Sequence, residues 1–502
     1  MNATLVAAVM AEIPSLFLSE GLLDLLPAAL REPLRRDGRS AFSTSLPGIL
    51  LRLALNETGW LPWARADLFR AATARIRADL AAWAPRDRPT DADLVHAIDH
   101  VRTSLGAYLD IVSWGMIHAY VFFHLTVELL ARWAPDLDAS ATVSELTMGL
   151  DGIQTFEAHD EIVACAALAH ADRGLREAMM RDPAAVATAC LAGGGSAFAT
   201  ALRSLLDRHG HRFVARDLSQ PTWREQPGMV VEMVRKLIDS DARPSSASRR
   251  ARRRDAVART LDRVGAGVGG TVKRLAFERV LRWCEQYYVL RENMRYHADL
   301  FLAALRFLAL VAAERLVEAG ALSSRSDVFF LEVEELRGQL SGRGVEPAAL
   351  AIRAADRRQA QANAAAVDPP ECLVGDLDGD APSPRPVEVR ASRADAEEML
   401  SGIGVSPGVV TARVRVVRSV EELQAIEPGE IVVATATDPS WTSMLAVAGA
   451  LVLEMGGPLS HGAIVARELS IPAVVNVADA TRALVTGELV VVDGSGGTIR
   501  RA

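Results

Sequence analysis

Over residues 1 to about 365, apolar positions recur every third and fourth residue, the period of helices that bury one stripe. The stretch FERVLRWCEQYYVLRENMRYHADLFLAALRFLALVAAERLVEAG (277–320) keeps that period and stops at a glycine, which predicts one long helix. Glycine-rich interruptions at 192–196 (AGGGS) and 264–270 (VGAGVGG) predict breaks between helices. IVSWGMIHAYVFFHL (111–125) is too short and too often interrupted by polar groups to span a bilayer, and reads as a buried helix. DPPECLVGDLDGDAPSPRPVEVRAS (368–392) is rich in Pro, Gly and Asp and predicts irregular chain. Beyond 402 the pattern becomes strand-like, with VVTARVRVV, EIVVATA, ALVLEM, PAVVNV and GELVVVDG set between Gly, Pro and Asp. Helices fit around SWTSMLAVAG (440–449) and directly after His461. The expected organisation is multidomain: a large, mostly α-helical domain over 1–375, a linker over 376–400 and a small α/β domain over 401–502.

Composition narrows the function classes. Half of the residues are apolar and 24% are charged, as in ordinary globular chains. A net charge of −8 gives no electrostatic reason to expect nucleic acid as a partner. Cys165, Cys190, Cys284 and Cys372 have neither metal-ligand spacing nor a paired pattern, which points to reduced thiols and a cytoplasmic setting. The N-terminus lacks a basic segment of the signal-peptide kind, so neither secretion nor a membrane partner is expected. The arginine-dense run RPSSASRRARRRDAVAR (243–259) reads as a solvated loop or an exposed helix start. In FEAHDEI (156–162), Glu157, His159, Asp160 and Glu161 share no metal-binding face, and a solvated helix start is expected with no metal. Trp114, Tyr120, Phe122 and Phe123 read as core, with a pocket lining as the minority alternative.

The most chemical stretch is EMGGPLSHGAIVARELSIPAVV (454–475). Gly456 and Gly457 permit a tight turn, and Ser460 is a fitting N-cap, which places His461 in the first turn of a helix. Free backbone N–H groups and the positive end of the helix dipole there suit an anion on the ring. They also disfavour a protonated imidazole, leaving a nucleophile. Taken alone, a lone histidine at a turn is more often a simple cap.

The surrounding string changes that balance. GIGVSPGVVTARVRVV, GEIVVATATDPSWTSMLAVAGALVLEMGGPLSHGAIVARELSIPAVV and GELVVVDGSGGTIR resemble, in order and from end to end, the swivelling phosphohistidine domain of the phosphoenolpyruvate-utilising enzyme family. The resemblance implies that His461 accepts and carries a phosphoryl group, with Thr437, Asp438, Gly456, Gly457, Ser460, Gly462 and Arg467 on supporting motif positions. Upstream, DRHGHRFVARDLSQPTWREQP (207–227), LRENMRYH and SRSDVFFLEVEELRG resemble the substrate domain of rifampicin phosphotransferase-like proteins. That likeness places Arg291 and Arg295, four apart and so on one helical face, at an acceptor site where they would clamp the phosphoryl group. The bland alternative pairs Arg291 with Glu292 and Arg295 with Asp299. His297 and His211 are candidate general bases, each also readable as structural.

The family's ATP-grasp module is not recognisable in the sequence, and neither is a phosphate-binding P-loop. With 41 residues after His461, no C-terminal barrel is expected either. The resemblance therefore implies a phosphotransferase component with no directly bound cofactor. ATP and Mg2+ would act through a separate ATP-grasp partner, and the acceptor would be a small-molecule hydroxyl. The alternatives are a phosphorylation-assisted dehydratase or cyclase, and a repurposed binding protein that carries no phosphoryl group.

Overall fold

The computed structural model describes residues 89–213, 217–238, 245–365 and 399–502, together with four helical positions between 71 and 78. Most of the expected 376–400 linker, Cys372, the side chain of Trp114 and the first seventy residues lie outside what it describes. The helical region runs α1 (Asp91–Trp133), α2 (Ala139–Leu146), α3 (Gln154–His170), α4 (Arg173–Arg181), α5 (Pro183–Leu191) and α6 (Ala197–His209). It continues through α7 (Pro227–Leu237), α8 (Ser246–Val264), α9 (Gly270–Glu318), α10 (Val333–Leu340) and α11 (Pro347–Ala365).

The two longest helices, α1 and α9, pack along each other and form the spine. Aromatic side chains fill the seam: Phe122 lies 5.2 Å from Trp283 and 5.7 Å from Tyr287, centroid to centroid. A Thr90 capping box starts α1, and Ser196, the last residue of AGGGS, caps α6. The second glycine break is steric in origin. A Cβ on Gly270 would meet the Gly265 carbonyl oxygen at 1.9 Å, so α8 can turn directly into α9 only without side chains there. Among the described residues no helix is long and apolar enough to cross a membrane.

The C-terminal region is an eight-stranded sheet in the order β1-β8-β7-β3-β4-β5-β6-β2. Its strands are β1 (Leu400–Ser401), β2 (Ile403–Ser406), β3 (Val409–Val417), β4 (Ile431–Ala434), β5 (Ala450–Leu453), β6 (Ala473–Val475), β7 (Leu489–Asp493) and β8 (Thr498–Arg501). β3, β4, β5 and β6 run parallel, and the flanking pairs are antiparallel. Short helices α12 (Val420–Gln424), α13 (Thr442–Leu445), α14 (His461–Leu469) and α15 (Ala480–Ala483) connect the strands. Strand alternation divides β4 between two cores. Ile431 and Val433 join a Val-rich cluster made within the sheet region alone, whereas Val432 and Ala434 belong to a cluster continuous with the helical core.

Two polar stretches differ from expectation. The arginine run is not solvated throughout: Arg249 is 3% exposed and continues the buried stripe of Ala256, Thr260 and Val264 along α8. The 156–162 stretch is likewise not a solvated helix start, because Phe156, Ala158, His159 and Ile162 are buried where α3 meets the sheet region. There the His159 Nδ1 lies 3.4 Å from the Ser443 hydroxyl.

Candidate functional site

His461 opens α14. Ser460 caps it in extended backbone and accepts from the Ala463 N–H at 3.4 Å. The loop before it is tightly folded. Gly456 has φ +147, and a Cβ there would stand 2.9 Å from the Ser460 hydroxyl. The Gly457 carbonyl accepts from Ser460 N–H at 2.8 Å. Gly462 lets the first turn press against the sheet, since its Cβ would meet Leu453 at 2.4 Å and the Thr437 hydroxyl at 3.0 Å. Arg467 braces the loop from behind, donating to the carbonyls of Pro458 (2.7 Å) and Val405 (3.4 Å). Asp438 accepts from the Ser440 N–H and hydroxyl and fixes the turn into α13. The Thr437 Oγ1 is buried with no hydrogen-bond partner among the described residues.

The ring of His461 is buried against the helical region, with the side chain 4% exposed. Its Nδ1 lies 3.1 Å from Oε2 of Glu292 on α9, and its Nε2 lies 3.4 Å from the Thr442 hydroxyl. Glu292 also accepts from Arg291 at 2.5 Å, the bland pairing for that arginine. Burial pushes the Glu292 carboxyl up, but the His461 hydrogen bond and the Arg291 and Arg295 charges outweigh it and hold the group below its ordinary value. An ionised carboxylate only accepts, so Nδ1 donates to it, and in the neutral ring Nε2 carries the lone pair. The Thr442 hydroxyl directs its single proton to the Pro439 carbonyl at 2.9 Å, which leaves that lone pair available.

Around this pair, the Arg291 guanidinium lies 5.9 Å from the Tyr120 ring centroid. Tyr120 is therefore a neighbour of the site, while Phe122 and Phe123 are core, as expected. Burial pushes the Tyr288 phenol up to about 12, so it stays neutral. Arg295 is half-buried and shares the Arg291 face one turn on. The two candidate bases come together on Tyr296: His211 packs edge-on at 4.7 Å and His297 at 5.5 Å. Burial first, then the charges of Arg212 and His209, hold His211 well below its ordinary value, and its Nε2 has no hydrogen-bond partner among the described residues. Tyr296 follows Glu292 by one turn, about 6 Å along α9, so the ring that both candidate bases pack against stands one turn from the carboxylate facing His461. Among the described residues no three His, Cys, Asp or Glu side chains converge as they would for a metal ion.

Sequence reasoning missed Glu292 as the partner of His461, because the contact spans 169 positions. The one available signal was a carboxylate set between two arginines in the RENMR run (291–295).

Residues 426–497 match the family model described as PEP-utilising enzyme, mobile domain. That match covers most of the sheet region. Residues 111–292, which end at the carboxylate facing His461, match the model of the rifampicin phosphotransferase fourth domain. The chain is 31% identical to a rifampicin phosphotransferase of Streptomyces sviceus over 61% of its own length and 35% of that protein's. It is 31% identical to another from a Streptomyces species, over 74% and 41%. It is also 34% identical to the prodigiosin synthesizing transferase PigC of Serratia marcescens, over 42% and 24%. The chain thus spans well under half the length of each of these relatives. Through Glu292, His461 of the sheet region packs against the end of the fourth-domain match.

Proposed function

We propose that this chain is a phosphotransferase component in which His461 carries a phosphoryl group to a small-molecule hydroxyl held by the helical region. The observation that carries the reading is His461 at a helix N-terminus, its Nδ1 fixed by Glu292 and its Nε2 left with a lone pair. In this reading the division is a helical acceptor domain (1–375), a linker (376–400) and a swivelling carrier domain (401–502). The buried ring supports movement: a side chain 4% exposed cannot meet a nucleotide while docked, so loading requires the mobile domain to leave. A separate ATP-grasp partner, using ATP and Mg2+, would phosphorylate Nε2.

At the loading step the Nε2 lone pair attacks a phosphorus of ATP, so that the P–N bond forms as the P–O bond to the departing nucleotide product breaks; Nδ1 keeps its proton, and on redocking the Glu292 carboxylate faces the resulting positive ring. The first-turn N–H groups of α14 and the unpartnered Thr437 hydroxyl suit the carried anion. At delivery the P–N bond breaks as the P–O bond forms, and Arg291 and Arg295 stabilise the charge in transit. The acceptor hydroxyl's proton passes to a base, for which His211, kept neutral by its surroundings, and His297 stand one turn away.

The test is incubation with labelled ATP, with and without candidate ATP-grasp proteins, followed by mass spectrometry of the 454–475 peptide. Acid-labile label on His461, lost completely in His461→Ala, is expected. Absence of label with every partner tried, and with phosphoenolpyruvate as donor, would overturn the reading.

A further inference from the structure

His461 and Glu468 are seven residues apart on α14, so they lie on one face about two turns, or 10 Å, apart. Both point into the helical region, at different helices. His461 meets α9, while Glu468 meets α8 and the turn after α2. Glu468 accepts from the Gly149 backbone N–H at 2.6 Å, and its other oxygen lies 2.9 Å from the Arg249 Nε. Both side chains of this ion pair are 3–4% exposed. Arg249 also reaches Asp160 on α3 at 3.3 Å.

The backbone is shaped for the contact. Gly149 has φ +66, and a Cβ there would stand 2.8 Å from the Arg249 backbone, so only glycine lets its N–H approach the carboxylate. Two further basic side chains grip the same domain. Lys236 on α7 is buried and donates to the carbonyls of Gln424 and Ile426, and Arg252 lies 3.4 Å from the Ser470 hydroxyl. No contact described for these four residues involves His461.

We propose that Arg249, Glu468 and the Gly149 N–H form a docking latch that sets the position of α14, and thereby seats the His461 ring against Glu292. These are positioning residues, and the idea rests on the carrier reading above, giving its delivery state a lock separate from the chemistry. An arginine run that looks solvated thus becomes the seat of the mobile domain.

A buried ion pair makes the latch testable. Removing one partner leaves the other charge buried and alone, whereas replacing both with apolar groups is often harmless. The full chain would be treated with diethyl pyrocarbonate, and carbethoxylation of His461 read by mass spectrometry. Hydrogen exchange would be followed at Gly149 and along α14, with exchange in α1 and α9 as the control for folding. Arg249→Met should raise His461 modification more than about tenfold and release protection at Gly149, leaving α1 and α9 unchanged. The double variant Arg249→Met with Glu468→Leu should return His461 modification toward the original rate. Unchanged His461 reactivity in Arg249→Met would overturn the latch. So would equal loss of protection in α1 and α9, or a double variant no better than the single. Neither readout needs ATP, so a latch that holds while His461 never takes label would sink the carrier reading alone.

Discussion

The two ends of α14 bury a carboxylate each, and their surroundings push those carboxylates in opposite directions. At the N-terminal end, the His461 hydrogen bond and two arginines overcome burial and hold Glu292 below its ordinary value. At the C-terminal end, burial wins over the Gly149 N–H and the Arg249 charge, helped by Asp160, and Glu468 is raised. Two arginines and the imidazole surround the first carboxylate, whereas the second meets one arginine and a backbone N–H. In the proposed reading one helix separates chemistry from placement by two turns.

The comparison can be broken most severely from beneath. Ile431→Ala, in the core that belongs to the sheet region alone, should cost about 2–5 kcal/mol in the denaturant unfolding of that region. Both ends of α14 would then loosen together, seen as equal rises in amide exchange at His461 and Glu468. Glu292→Gln should act at one end only. It should weaken seating of the ring by about 1.5–3 kcal/mol, the worth of a hydrogen bond to a charged group. Reactivity of His461 toward diethyl pyrocarbonate would rise while Gly149 stays protected; loss of both would show that the ends are not separable.

Acidification gives the smallest effect, and its sign differs between the ends. A depressed carboxylate contributes above its undocked value and loses that contribution as pH falls through its docked one. Seating by Glu292 should therefore weaken below about pH 4.5. Glu468 has the reverse sign, because its raised value means that the penalty for its charge is relieved as pH falls. Exchange measured from about pH 5 down to about pH 3 should loosen first at the His461 end, and Glu292→Gln should remove that dependence.

What the sequence disclosed and what it hid follow the same division between local and distant contacts. The Val-rich runs became β3 through β7, because alternation and flanking glycines are local signals. Ser460 as a cap and His461 in the first turn were legible for the same reason. The glycines around the loop were legible as turn formers, although the clash that makes Gly462 necessary, with Leu453 and Thr437, needed the folded sheet. Glu292 and Arg249 stayed hidden because their partners lie far along the chain; the Gly149 contact to Glu468 spans 319 positions. Arg249 did leave a trace. It falls on the apolar stripe of α8, where a charge needs a buried partner. The solvated reading of the run weighed its composition and not its period.

The apolar core that runs unbroken from the helical region into the mobile domain has a thermal consequence. Separating the two faces wets hydrocarbon, so docking carries a negative heat-capacity change and its hydrophobic part fades on cooling. In the proposed swivelling reading, chilling should shift the balance toward the released domain, making low temperature a handle for trapping a state in which His461 is exposed.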